Sequence, residues 1–313
     1  MGKSASGSAG QAGTRTKPAA SAAARVIAIS AFTVLAGCLV FYQLGDRLGQ
    51  AMTASTGWLS LLAFFVFAVA HSIDLEGRQA TAMLLGLTFT VSLALESIGV
   101  ATGLIYGAYQ YTSILGPKFL GLVPLAIPLA WFMMVYASRS LARLIVGPGR
   151  RADLGSTAAF ALLCALIMTA WDLGVDPRAV RVMKMWIWRD GGAWFGVPLQ
   201  NYAGWVLTTF LIYLLYGLWE RRQDAVSQPA ASPISVLPAA GYALMAANEV
   251  VAAREMGEPA LALAVGFTMG GFVVAGACGL LRDRGGAVVV SAGLPAGQSG
   301  GPQETNGGND AGH

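Results

Sequence analysis

Eight long apolar runs, separated by short polar connections, constrain this chain more than any other feature. They occupy residues 23–43, 57–73, 80–98, 120–141, 155–171, 201–219, 234–252 and 259–281. A bilayer core takes about 20 consecutive apolar residues to cross as a helix. Inside lipid each backbone polar group must find its partner within its own segment, which leaves helices and closed barrels. These runs are continuous rather than alternating, so helices are expected. The expected fold is all-α: a polytopic membrane bundle of about eight transmembrane helices over 23–284, with polar, small-residue tails at 1–22 and 285–313 expected to be disordered.

Composition agrees. Only 12% of residues are charged and 55% are hydrophobic, with a mean hydropathy of +0.60; a soluble globule carries about 25% charge. The net charge of +4 suggests nucleic acid at first glance. The cations lie in connections between apolar runs, however, so no nucleic-acid partner is expected. With the N-terminus in the cytoplasm, thirteen of the twenty Lys and Arg residues fall on the inside and seven on the outside. Basic residues favour the cytoplasmic side, so both termini are expected there, in the cell membrane. The run at 23–43 is long enough to span and reads as an uncleaved first helix rather than a signal peptide. Cys38, Cys164 and Cys278 sit far apart in apolar runs and read as small core residues. Two histidines, His71 and His313, are too few for a multi-histidine metal site.

Two connections, 99–119 and 172–200, are too long and too rich in Trp, Tyr, Gly and Pro to be plain turns. An even number of spans separates them, so they share one membrane face. Each follows a helix ending in a carboxylate, Glu96 or Asp172, and each contains an aromatic-Gly-small triplet, Tyr106-Gly107-Ala108 or Phe195-Gly196-Val197. This faint echo suggests an internal duplication.

Carboxylates beside spans are rare because ionised groups there are costly to desolvate. Glu96 lies one turn from the end of the third run, Asp172 and Asp176 at the end of the fifth, and Asn201 at the start of the sixth. Three helices thus bring carboxyls and an amide to one membrane level. Burial against apolar walls favours the protonated carboxyl in general, which suits a general acid. Plainer roles exist: Glu96 as an interhelical hydrogen-bond partner, Asp176 as the start of a turn before Pro177, and Asp172 as that turn's cap. Tyr106, Tyr109, Tyr111, Trp171, Trp186, Trp188, Trp194, Phe195 and Trp205 are individually belt or packing residues. Together they suit a ring-walled cage for a polyene that faces a developing carbocation. Arg178, Arg181, Lys184 and Arg189 suit either a phosphate clamp or an interfacial helix that snorkels its charges. His71, Asp74 and Glu76 read as a solvated helix end on the other face, Glu249 as a possible further member of the acid site, and Gly266 with Gly270 as a packing face.

The run ESIGVATGLIYGAYQYTSILGPKFLGLVPLAIPLAWFMM, followed by TAWDLGVDP, WIW and WFGVPLQNYAGW, resembles the carotenoid-biosynthesis membrane proteins typified by the CruF-type carotenoid hydratases. The likeness covers about Glu96 to Trp205. It implies acid-catalysed addition of water to the terminal isopropylidene double bond of an acyclic carotenoid, through a tertiary carbocation. The implied catalytic group is Asp172, Asp176, Glu96, Asn201 and Tyr109, with Tyr106, Tyr111, Trp186, Trp188, Phe195 and Trp205 against the substrate. Expected partners are that carotenoid or another polyisoprenoid, membrane lipids and other carotenoid enzymes. The chemistry calls for no metal or other cofactor. Two rivals come from other classes. Asp172 and Asp176 spell DxxxD, which membrane prenyltransferases use with Mg²⁺ and a prenyl diphosphate. Buried carboxylates also serve carriers and proton-coupled transporters.

Overall fold

The computed structural model describes residues 19–45, 54–147, 153–223 and 232–292. Among them are eight long helices: α1 (Ala19–Gly45), α2 (Ala54–Leu75), α3 (Arg78–Thr102), α4 (Ala126–Val146), α5 (Leu154–Arg178), α6 (Leu199–Arg222), α7 (Leu237–Glu255) and α8 (Pro259–Ala292). All eight are long and apolar enough to cross a membrane. The chain is a polytopic helical membrane bundle. The expected tails fall mostly outside the described residues, as do Arg47, Arg150 and Arg151; where the backbone is described, helix begins at Ala19 and continues to Ala292.

Helix α4 is the central element, in contact with α2, α3, α5, α7 and α8. Its Trp131, Phe132, Met134, Tyr136 and Arg139 are all buried. Around it α1 pairs with α2, α5 with α6 and α7 with α8.

Two span limits differ from the sequence expectation, and both differences shape the site. The fourth span starts at Ala126 rather than 120, because a small hairpin precedes it, β2 (Lys118–Phe119) against β3 (Val123–Pro124). The fifth does not stop at Trp171. It continues helically through Asp172, Asp176 and Pro177 to Arg178, then through a π turn at Ala179–Met183 to Lys184, whose φ of 54° ends it. A proline inside a helix has no N–H for the carbonyl four residues back. That carbonyl, Leu173 O, instead accepts from Trp194 Nε1 at 3.0 Å. A ring from the following loop thus supplies the missing donor, and neither aspartate is a turn former or cap.

The two long loops meet over one end of the bundle, here called the cap face. Strand β1 (Tyr109–Tyr111) pairs antiparallel with β4 (Trp186–Trp188), matching Tyr109 to Trp188 and Tyr111 to Trp186. Side chains alternate along a strand, so Tyr109 and Tyr111 turn inward while Gln110 faces out.

At the opposite face the expected solvated helix end is instead a buried charge network. Glu76, between α2 and α3, takes Arg139 Nη1 at 2.8 Å and Arg143 Nη1 at 2.6 Å, and Arg139 Nη2 reaches Glu220 at 2.8 Å. The Arg139 guanidinium lies 4.5 Å from the Tyr216 ring centroid. Burial alone pushes the Glu76 carboxyl up, but the charges of Arg139 and then Arg143 outweigh it and hold it below its ordinary value. His71 is buried too, between Tyr136 Oη and Ile234 O, each at 2.8 Å. Because a carbonyl only accepts, Nε2 carries a proton, and in the neutral ring Nδ1 then accepts from the phenol.

The packing glycines also differ from expectation. A side-chain carbon at Gly270 would meet nothing within 4 Å, and one at Gly266 only Val250 at 3.8 Å. The close approach of α8 to α4 lies further along, where a Cβ on Gly279 would come within 1.9 Å of Leu144 O. Gly279→Ala is therefore expected to force the two helices apart and cost about 1–3 kcal/mol. Gly270→Ala should change little, and unfolding in detergent compares the two. Cys38 and Cys164 are buried, whereas Cys278 is exposed on the outer side of α8.

Candidate active site

Beneath the β1–β4 ribbon lies a cavity of about 60 Å³, lined by side chains of α3, α4, α5, α6 and both loops. Its polar walls are Glu96, Asp176 and Asn201. Its rings are Tyr106, Tyr109, Tyr111, Trp131, Trp171, Trp186, Trp188 and Trp205, with Ile127, Ala130 and Val175 between them.

Each polar group is placed by its element. Asp172 and Asp176 are four residues apart on a continuous helix, so they share one face. Both are buried, and both reach the same donor: Asn201 Nδ2 lies 2.9 Å from Asp172 Oδ2 and 2.5 Å from Asp176 Oδ2. Asn201 is the third residue of α6, which starts after Pro198. Asp176 faces the cavity, whereas Asp172 stands behind it, and Asp172 Oδ1 has no hydrogen-bond partner.

Glu96 is equally buried but differently dressed. Its Oε2 accepts from the Tyr109 hydroxyl and, at 2.9 Å, from that of Tyr111; its Oε1 lies 3.3 Å from Trp131 Nε1. An indole N–H can only donate, so Oε1 must accept. Burial and the neighbouring Glu96 carboxyl push the Tyr109 and Tyr111 hydroxyls well above their ordinary range, so both remain proton-carrying donors at any working pH.

The rings are ordered by packing. Trp131 stacks on Trp205 with centroids 4.3 Å apart, and Trp171 meets Trp205 edge-on at 6.0 Å. The Tyr106 ring is gripped between α3 and α6: a Cβ on Gly99 or on Gly204 would come within 2.6 Å of it. Its hydroxyl shares a 2.7 Å hydrogen bond with Thr208, so Tyr106 offers the cavity its ring and not a proton.

Of the residues singled out in the sequence, Glu96, Asp176, Asn201, Tyr106, Tyr109, Tyr111, Trp171, Trp186, Trp188 and Trp205 come together. Asp172 joins through Asn201. Phe195 does not line the cavity; it packs edge-on against Trp194, 5.1 Å away. Trp131 was missed as a site residue. Its signal was an indole N–H inside an apolar run, a donor that needs a buried acceptor. Glu249 stays outside the cavity lining and faces Arg178 at 3.5 Å, while Arg181 meets Glu258 at 2.6 Å. Two members of the basic cluster, which suited either a phosphate clamp or a snorkelling interfacial helix, are thereby matched with acids of this chain.

Trp131→Phe keeps an aromatic ring against Trp205 but removes the N–H on Glu96. If that donor positions the carboxylate, turnover should fall roughly tenfold and the pH–rate profile should shift. A change in KM alone would mean that the ring matters only for packing.

The fold and site define a class: a multi-pass membrane protein with an acid group enclosed by rings at one end of its bundle. A family model described as carotenoid biosynthesis protein matches residues 56–272, and the chain belongs to that family. The match takes in every cavity-lining residue and reaches well beyond the 96–205 stretch that carries the sequence motifs. Over 148 residues the chain is 36% identical to a bisanhydrobacterioruberin hydratase of Haloarcula japonica, covering 47% of this chain and 48% of that relative. The chain thus spans about half the length of the curated relative it matches. No solved structure matches.

Proposed function

We propose that this protein hydrates the terminal isopropylidene double bond of an acyclic carotenoid end group, with Asp176 as the acid. The observation that carries this reading is the placement of two differently dressed carboxyls, Asp176 and Glu96, on one small ring-walled cavity. Asp172 and Asp176 share the Asn201 amide donor, and Asp172 Oδ1, left without a hydrogen-bond partner, gives the pair a place to hold a proton behind Asp176. Glu96 already receives two phenols and an indole, the setting of an acceptor.

The steps balance as follows. The Asp176 carboxyl gives its proton to the CH carbon of the alkene, whose π pair becomes the new C–H bond. The adjacent carbon becomes a tertiary cation facing Trp and Tyr rings, whose negative faces stabilise it. A water held by Glu96 and Tyr109 supplies the pair for the C–O bond. Its surplus proton passes to Glu96 and returns to Asp176, leaving a tertiary alcohol and an unchanged protein. A cavity of about 60 Å³ is far too small for a whole polyene, so only the end group would reach into it. The name of the Haloarcula japonica relative supports the same reaction class.

The site would stand at the extracytoplasmic side of the cell membrane, with both termini in the cytoplasm. Expression in a bacterium that makes acyclic carotenes tests the reaction. A product heavier by one water is expected, and purified protein should form it in detergent without a gradient. Absence of that product in both settings would refute hydration; a product carrying an added prenyl group, formed only with Mg²⁺ and a prenyl diphosphate, would restore the prenyltransferase reading.

A further inference from the structure

The β2–β3 hairpin carries a feature that hydration chemistry leaves unused. Phe119 O accepts from Leu122 N at 2.9 Å, and both residues between them have positive φ, 50° at Leu120 and 71° at Gly121. A turn with two left-handed central residues ordinarily takes Asn or Asp before its glycine, because a short polar side chain bonds locally and tolerates that backbone. Here the first position holds leucine, 75% exposed, with Phe119 exposed beside it. In water this tip would combine a costly conformation with uncovered apolar surface.

The surroundings fit lipid instead. Leu104, Leu125 and Leu199 are also exposed on the cap face, each close to where a membrane helix ends or begins, and Ile114 is exposed in the loop between β1 and β2. Exposed Lys184 and Arg189 accompany them, as cations do at the level of lipid headgroups. The hairpin is anchored to the cavity at both ends. Lys118 Nζ donates to Tyr111 O at 2.6 Å, Leu125 N donates to Pro117 O at 3.0 Å, and buried Val123 and Pro124 lead into the turn of α4 that places Ile127 on the cavity wall.

We propose that this hairpin is a lipid-inserted wedge, its tip of Phe119 and Leu120 seated in the acyl layer of the leaflet at the cap face. The inference rests on the membrane fold and on the hairpin's own geometry, and its test reads no product, so it stands or falls separately from hydration. The test uses the full chain with Cys278→Ala, leaving Cys38 and Cys164 buried, and an environment-sensitive fluorophore on Leu120→Cys. A second label on Phe119→Cys covers failure of the first variant to fold, and one on exposed Asp190→Cys is the reference. In phosphatidylcholine vesicles the labels at 119 and 120 are expected to emit further to the blue than the reference. They should be quenched by lipids brominated on their acyl chains and be protected from aqueous iodide. Iodide quenching at 119 and 120 equal to that at 190, with no effect of brominated lipid, would overturn the wedge.

Discussion

Asp176→Asn is expected to lower hydration by roughly 10²–10⁴-fold, the usual worth of a positioned general acid. Asparagine has the same shape, and its carbonyl can still accept from Asn201 Nδ2, which now stands 2.5 Å from Asp176 Oδ2. The bundle should therefore keep its stability while losing the proton. Asp172→Asn should cost less, because Asp172 reaches the cavity only through the shared amide. Product quantified by chromatography, alongside detergent unfolding of each variant, separates lost chemistry from lost fold. A fall of less than roughly tenfold in the Asp176 variant would move the acid role elsewhere, with Glu96 the next candidate.

Arg139→Met is expected to cost about 3 kcal/mol of stability, the lower end for breaking a buried ion pair. The lower end applies because Arg143 still reaches Glu76 at 2.6 Å and Glu220 at 3.2 Å. The loss would be felt between α4, the α2–α3 connection and α6, far from the cavity, so remaining folded protein should keep its turnover. Glu76 adds a pH dependence of definite sign. Its folded value is depressed, so its contribution is complete above the ordinary glutamate value of about 4.3 and fades as pH falls through the depressed one. Acid should therefore destabilise the wild type more steeply than Glu76→Gln. Denaturant unfolding in detergent across acid pH measures both effects: an Arg139→Met variant as stable as the wild type would contradict the first, and parallel profiles for wild type and Glu76→Gln the second.

Much of this protein was legible in one dimension. Lipid forbids an unpaired backbone, so uninterrupted apolar runs had to become eight helices. Carboxyls beside such runs had to be special, because leaving water is costly for them, and so Glu96, Asp172 and Asp176 stood out at once. What only the tertiary structure decided was how these groups are completed. Pro177 looked like the end of a helix. It lies within one because Trp194, 17 residues later, supplies a donor to the carbonyl that proline leaves bare. That continuation puts both aspartates on one buried face. Phe195 and Trp131 exchanged standing for a similar reason: loop sequence does not reveal that Phe195 packs on Trp194 outside the cavity, and an apolar helical run does not reveal that the Trp131 indole meets Glu96. Glu76 read as solvated because its partners, Arg139 and Arg143, are distant in sequence. Partition between water and lipid is a property of short segments and can be read from them. The pairing of a buried polar group depends on whatever the fold brings beside it.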